Sequence, residues 1–347
     1  MITIQKFNSK SGEIVHLTLV NSTGASVVLS SIGAGIVAVN VPDRAGRLAD
    51  VALGYADAAD YIGDGPAAGK VPGRYANRIA AGRFTLDGHE YQLPINNGPN
   101  CNHGGPAGFH NLNWEVKSYT DSSVTFALLS PDGDAGFPGC LSVEAEYRWT
   151  DSNELQLILS ATTDAPTVVN LTNHAYWNLA GHDAGSVLGH ELQLNAGRYL
   201  PTDETLIPTG ELAPVSGTPM DFREFKAIGR DIRSDFPALR IGKGYDACWA
   251  VDAADGATAA TVASLRDTDS GRRLDVVSDQ PGVQVYTGNW LAGCPKNKAG
   301  RSYDDYDGVA IECQGFPNSP NSPTFPSTVL RPGEHYIRHI NFIFTTF

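Results

Sequence analysis

Proton transfer near neutral pH asks for a carboxyl group and an imidazole in surroundings that tune both. Four segments of this chain carry polar, chemically capable groups beside residues that pack. The first is Val309-Ala-Ile-Glu312-Cys-Gln314, where a carboxyl follows three apolar residues of an expected central strand. Burying Glu312 unpaired is costly and raises its pKa toward that of a useful general base; on the wet face of its strand it would be an ordinary surface acid. The second is Val168-Val-Asn-Leu-Thr-Asn173-His174-Ala-Tyr176-Trp177-Asn178, a β-rich run whose histidine is flanked by aromatic rings and amides. Rings that cover C–H patches and amides that read hydroxyls are what a sugar site requires, and the same run equally describes a satisfied core histidine. In the third, Asn102-His103-Gly104-Gly105, two glycines permit close backbone approach or unusual angles beside an imidazole, or simply make a turn. The fourth, Gly73-Arg-Tyr-Ala-Asn77-Arg78-Ile-Ala, sets Arg78 in a small, apolar stretch. A fixed guanidinium fork there can bind two hydroxyl or carboxyl oxygens; a surface arginine is the alternative. Asp246, in Gly244-Tyr245-Asp246, adds a carboxylate, and Gln284 an amide.

Other patterns lead nowhere. Gly33-Ala-Gly35-Ile-Val-Ala38 has the spacing of a dinucleotide fingerprint, but Ile36 to Val41 alternates and meets Pro42, so a strand follows where a helix is needed. Gly69-Lys70 is followed by Val71 and lacks the first glycine of a phosphate loop. His335 and His339 have no third ligand nearby, so no metal site is expected. Cys101 and His103 would share one face of an extended segment, yet a small buried thiol beside an independent histidine explains the pair better than a nucleophile and its base.

The elements that must hold these groups read as β almost throughout, with short β-branched and aromatic runs between turn clusters. Phe84-Thr-Leu-Asp87-Gly88-His-Glu-Tyr91 has the Asp-Gly signature of a tight hairpin, and Asp267 to Gly271 a longer hairpin loop. Val143 to Trp149 and Leu155 to Leu159 are expected as neighbouring strands. Short helical turns are expected only near Ala56 to Ile62 and Phe225 to Arg230, and the Pro-, Asn- and Ser-rich stretch Gly315 to Pro326 as an ordered loop. Without linkers or repeats, the 347 residues are expected to form one large β domain, residues 1–347. The net charge of −13 disfavours nucleic acid and anionic membrane surfaces as partners. No apolar run is long enough to span a bilayer. Five scattered cysteines and the absence of a signal-peptide pattern point to the cytoplasm.

In their order along the chain, Gly-Arg-Tyr-Ala-Asn-Arg-Ile, Asn-His-Gly-Gly, Asn-Leu-Thr-Asn-His-Ala-Tyr-Trp-Asn-Leu-Ala-Gly, Pro201-Thr-Asp-Glu-Thr-Leu-Ile-Pro-Thr-Gly, Gln-Pro-Gly-Val-Gln-Val-Tyr-Thr-Gly-Asn and Ile-Glu-Cys-Gln closely resemble the galactose mutarotase (aldose 1-epimerase) family. The resemblance covers essentially the whole chain. It implies an all-β fold, a single large twisted antiparallel β-sandwich with a shallow sugar cleft, with neither metal nor organic cofactor. It implies an isomerase that interconverts the α and β anomers of a free hexose, acting as a monomer or weak homodimer on a small monosaccharide. By the same resemblance Glu312 is the catalytic base, His174 the catalytic acid and His103 the second active-site histidine. Asn77, Arg78, Tyr176, Asp246 and Gln284 take sugar-binding positions. The chain departs from the family pattern at Ala247, where a histidine is common, and at Tyr75, where an aliphatic residue is common; both departures bear on sugar preference.

Two other classes compete with this reading. A glycoside hydrolase would use Asp246 and Glu312 as its carboxylate pair and leave the histidines idle. A binding module would use Tyr176 and Trp177 but gain nothing from a buried glutamate opposite a histidine. For the epimerase, burial is expected to raise the pKa of Glu312, and the carboxylate to raise that of His174, so that an ionised base and a protonated acid coexist.

Overall fold

The computed structural model describes residues 2–10, 12–252 and 258–347. Among these residues the strands form three large antiparallel sheets. A five-stranded meander runs from Ile2–Ser9 to Leu48–Asp50. A nine-stranded sheet has Leu141–Trp149, Glu154–Thr163, Tyr336–Thr346 and Arg272–Ser278 as consecutive central strands. A six-stranded sheet orders Tyr176–Trp177, Val309–Gln314, Gly282–Tyr286, Asp246–Ala250, Arg198–Tyr199 and Ala213–Pro214. The all-β expectation holds, as do the neighbouring strands around Val143 and Leu155, which pair in register from Leu141↔Thr163 to Trp149↔Leu155. The Asp87-Gly88 hairpin forms between Arg83–Leu86 and His89–Gln92. The turns near Ala56 and Phe225 contain the 3₁₀ segments Ala58–Tyr61 and Ile228–Arg230. The α-helix Pro237–Gly242 was not anticipated; six residues are too few to display a helical period.

Period-two patterning builds the sandwich. Along Glu154–Thr163, Leu155, Leu157 and Leu159 are buried while their neighbours are half-buried. Leu155 lies opposite Phe342, and Leu157 opposite Ile340. These chains pack against Val283, Val285, Val309 and Ile311 of the six-stranded sheet in one continuous core. The six-stranded sheet differs from a half-solvated one: Val309–Gln314 is buried at every position. One of its faces meets the core, and the other lies beneath loops and a cleft. A strand buried on both faces reads as a continuous apolar run, and Glu312 interrupts that run.

Gly69, which does not belong to a phosphate loop, has a packing reason. Its φ is +76°, and a Cβ there would sit 1.9 Å from the carbonyl oxygen of Ile36. Gly104 likewise has φ +81° and lies against the backbone of Gly73, so the close approach it permits is to the chain itself. Arg74, in the same segment as Arg78, is a structural residue. Its buried guanidinium donates to the carbonyls of Pro138 (2.7 Å) and Gly139 (2.9 Å) and to the hydroxyls of Ser130 (2.7 Å) and Thr167 (3.1 Å). Removing one buried partner leaves the others unsatisfied at about 1–3 kcal/mol each. Arg74→Met is therefore expected to lower unfolding free energy by more than about 3 kcal/mol in urea titration; a loss under about 1 kcal/mol would show that this network is not what pins the 131–139 loop.

Candidate active site

A cleft of about 420 Å³ opens over the loop-covered face of the six-stranded sheet. Strand parity decides which side chains reach it. Cys248, Gln284 and Glu312 are direct cross-strand neighbours, and so are Asp246 and Tyr286. Side chains alternate along a strand, so Ala247, Trp249, Val283, Val285 and Ile311 point to the core instead. Glu312, His174 and His103 meet in the cleft; Asn77, Arg78, Tyr176, Asp246 and Gln284 line it too. The eight residues given site roles from sequence are thus brought to one place.

Amides flanking His174 hold it. Asn173 Nδ2 donates to the carbonyl of Gly69 (2.8 Å) and to the Tyr147 hydroxyl (3.2 Å). His174 N–H donates to Lys70 O at 2.8 Å, and Gly69 N–H to His174 O at 3.0 Å. Asn170 locks the neighbouring turn, donating to Ala76 O (3.1 Å) and accepting from Gly315 N–H (2.8 Å). Buried beneath, Lys70 donates to Tyr61 O at 2.6 Å and pairs with Asp64. The imidazole of His174 lies between the rings of His103 and Tyr176, with centroids at 5.4 and 5.0 Å. Its Nε2 is 3.4 Å from Glu312 Oε1, and both side chains are almost wholly buried.

Burial sets the proton inventory of this pair. It raises the pKa of Glu312 well above the usual carboxyl range, helped by the negative charge of Asp246. It lowers that of His174 to about 4. The expectation that the carboxylate would raise the histidine is not met, because Glu312 is itself driven to its neutral acid and leaves no negative charge beside the ring. Burial thus favours the neutral form of each group, with the pair's proton on the carboxyl. Oε2 of Glu312 and Oε1 of Gln284 are buried with no hydrogen-bond partner among the described residues. Two buried acceptors without donors suit a ligand rich in hydroxyls.

His103 is fixed by an exchange with Asn77. Its own N–H donates to Asn77 O, and Asn77 N–H donates to His103 Nδ1, both at 3.1 Å. Both residues take the left-handed backbone, with φ of 53° and 65°. His103 therefore does not continue the extended segment, and Cys101 goes instead into a satellite core with Tyr75, Ile79 and Phe84. Burial raises the Cys101 thiol to about 12, so it is no nucleophile. Because Nδ1 accepts, the neutral ring of His103 carries its proton on Nε2. Burial, helped by the positive charge of Arg78, keeps it neutral.

Arg78 Nε donates to Asn97 Oδ1 at 3.0 Å, and its Nη2 lies 3.5 Å from Asp246 Oδ2. Gln284 Nε2 donates to the other oxygen, Oδ1, at 2.6 Å. Tyr176 donates to Pro66 O at 3.1 Å, so its ring forms a wall of fixed orientation. Reading the sequence missed Asn97, Leu206, Tyr286 and Trp290, which also line the cleft. Tyr286 was signalled: it sits two residues beyond Gln284 on the same face. The others lie on loops and left no local sign. The two departures from the family pattern stand back from the cleft. Ala247 faces the core, and Tyr75 is buried with its hydroxyl donating to Phe316 O at 3.1 Å. Ala247 nonetheless lines a small void beside the cleft together with Arg78, Asp246 and Gln284.

Among the described residues no group of three or more His, Cys, Asp or Glu is placed to hold a metal ion. His339 instead places Nδ1 2.9 Å from Asp279 Oδ2. The arrangement can pass a proton between a carboxyl and an imidazole while a charged frame grips hydroxyls. The tautomer is testable: nitrogen-15 spectra of the labelled protein near pH 6 are expected to give His103 the pattern of a neutral ring protonated at Nε2. A ring titrating near its ordinary value, about 6.5, or protonated at Nδ1 would contradict the exchange with Asn77.

The comparisons with known proteins agree with this geometry. Residues 15–342 match the sequence profile of the Aldose 1-epimerase family. The chain is 40% identical to galactose mutarotase of Sus scrofa over 343 residues, covering 99% of this chain and 94% of the relative. It is also 40% identical to aldose 1-epimerase of Escherichia coli K12, covering 92% of each. The crystal structure of an aldose epimerase homologue from C. elegans superposes with a TM-score of 0.88 at 31% identity over 99% of both chains. A fully buried carboxyl–imidazole pair, a charged frame for hydroxyls and this degree of likeness agree: the chain belongs to the aldose 1-epimerase family.

Proposed function

We propose that this protein interconverts the α and β anomers of a free aldose, with galactose and glucose the first candidates, by acid–base opening and closing of the pyranose ring. The observation that carries the reading is the contact of His174 Nε2 with Glu312 Oε1 at 3.4 Å, with both groups shut away from water. Ring opening removes a proton from the C1 hydroxyl and delivers one to the ring oxygen. A hydroxyl donating to the unpartnered Oε2 of Glu312 stabilises the carboxylate, so the shared proton moves to His174. Sugar binding thereby converts a neutral pair into the working pair of base and acid. Glu312 then takes the C1 proton and His174 supplies the ring oxygen. The open aldehyde turns about C1–C2, and the two groups run in reverse to close the other anomer.

Arg78, Asp246 and Gln284 form a connected frame that suits holding the remaining hydroxyls, and the Nε2–H of His103 adds a fixed donor. Both oxygens of Asp246 are engaged within that frame, which speaks against its acting as the second carboxyl of a glycosidase. The residues named here all come from one chain, which suits turnover by a monomer or weak homodimer. The five cysteines are free thiols, which suits the cytoplasmic setting we assign.

Initial polarimetric rates with fresh α-galactose and α-glucose test the reading. Glu312→Gln keeps the shape of the side chain but takes no proton, so kcat is expected to fall about 100-fold or more. His174→Asn is expected to act on kcat and to leave KM within about threefold. The pH profile of kcat/KM is expected to be bell-shaped, its limbs belonging to the coupled pair. With Glu312 as the base and His174 as the acid, the residual activity of His174→Asn is expected to lose the alkaline limb and to rise as Glu312 ionises, whereas Glu312→Gln is expected to lose the acid limb. Near-parental turnover by folded Glu312→Gln would remove this residue from the mechanism, and an unchanged alkaline limb in His174→Asn would remove the histidine from the role of acid.

A further inference from the structure

The loop of residues 201–209 is a stiff finger whose tip reaches the cleft. Thr202 and Pro208 pair across its base. Asp203 N–H donates to Ile207 O, and Thr209 N–H to Pro201 O, both at 2.9 Å. Within the finger one carboxylate oxygen, Asp203 Oδ1, accepts from Thr205 N–H (2.8 Å), Thr205 Oγ1 (2.8 Å) and Ile207 N–H (3.1 Å). Asn100 Nδ2 donates to Thr205 O at 3.1 Å and ties the tip to the segment that leads into His103.

At that tip Leu206 has a φ of 64°. A bulky side chain takes the left-handed region only when its surroundings impose it, whereas glycine or asparagine would make the same turn without strain. Strained residues of this kind collect at functional sites. The Leu206 side chain is half-buried, and it lines the cleft. It also lines a small void of about 10 Å³, shared with Arg78, Asp246 and Gln284 but not with Glu312 or His174. An apolar group is thus held, against backbone preference, on a polar wall beside Arg78, Asp246 and Gln284.

We infer that Leu206 is a specificity-determining residue, whose side chain packs on the C–H face of the pyranose at the carbons remote from C1 while Arg78 and Asp246 take the hydroxyls there. The inference rests on the aldose reading of the cleft. Pyranoses of opposite configuration at C4 offer that wall different faces: with an equatorial hydroxyl the C–H is axial, and with an axial hydroxyl it is equatorial. Leu206 should therefore help set the preference between galactose and glucose, beyond any hydrogen bond that the frame supplies.

Leu206→Gly removes the side chain at a position where glycine relieves strain, so the variant is expected to stay folded. KM is expected to rise roughly tenfold, the low end for a lost hydrocarbon contact in a pocket, with kcat within about twofold. The galactose-to-glucose ratio of kcat/KM is expected to move by about threefold or more, and Leu206→Met, which refills the space, to restore most of the loss. KM within about twofold of wild type for both sugars in Leu206→Gly would overturn the inference, as would failure of Leu206→Met to recover binding. The same variants are titrated with each sugar by tryptophan fluorescence, using Trp290 at the cleft mouth, which is 67% exposed. If wild type binds galactose without interconverting its anomers, the epimerase reading fails while the Kd series still decides the role of Leu206.

Discussion

Desolvation of a single carboxyl group is the constraint on which the site depends. Glu312 stands in a strand buried on both faces, with its Oε2 lacking a partner among the described residues. Water would return it to the ordinary carboxyl range and leave His174 an ordinary histidine. Excluding water makes the charged forms of both groups unfavourable, so one proton is held between them. Chemistry that must run equally well in both directions benefits from this, since neither partner is committed to being the permanent acid. The cleft's loops and rings therefore have a chemical role besides shaping a pocket: they bury the pair.

Holding such a pair requires a scaffold that does not relax around it. The asparagines beside His174 serve backbone carbonyls of the 69–76 segment, and Gly69 lets that segment pass against Ile36 where no Cβ fits. Arg74 anchors the same segment from the other side through six acceptors. Arg78, four residues later, is left to reach the cleft. Two arginines in one short motif thus have opposite tasks. The difference lies in the contacts each finds across the fold: carbonyls of a distant loop for one, Asp246 and Asn97 for the other.

Much of this was legible in the sequence because strand parity is strict. An acid after three apolar residues, a histidine among aromatics and an amide and a carboxylate on expected strands all proved to share one cleft. Parity also separates Tyr176 from Trp177, which packs on Phe342 in the core with ring centroids 5.0 Å apart, and it turns Ala247 toward the core. Asn97, Leu206 and Trp290 escaped because loops bring them to the cleft by long-range packing, which leaves no period in the sequence. The histidine's proton affinity was misjudged for a related reason. A neighbouring acid raises an imidazole only while that acid is ionised, and the burial that neutralises Glu312 appears only once both faces of its strand are covered.

The state of Glu312 in the ligand-free protein is the most direct measure of this account. Infrared difference spectra between wild type and Glu312→Gln in heavy water isolate the C=O stretch of a protonated carboxyl. The account predicts that band at neutral pH in wild type, with its loss on adding galactose as the proton passes to His174. A carboxylate signature alone at neutral pH, with His174 already an imidazolium in the empty site, would contradict it.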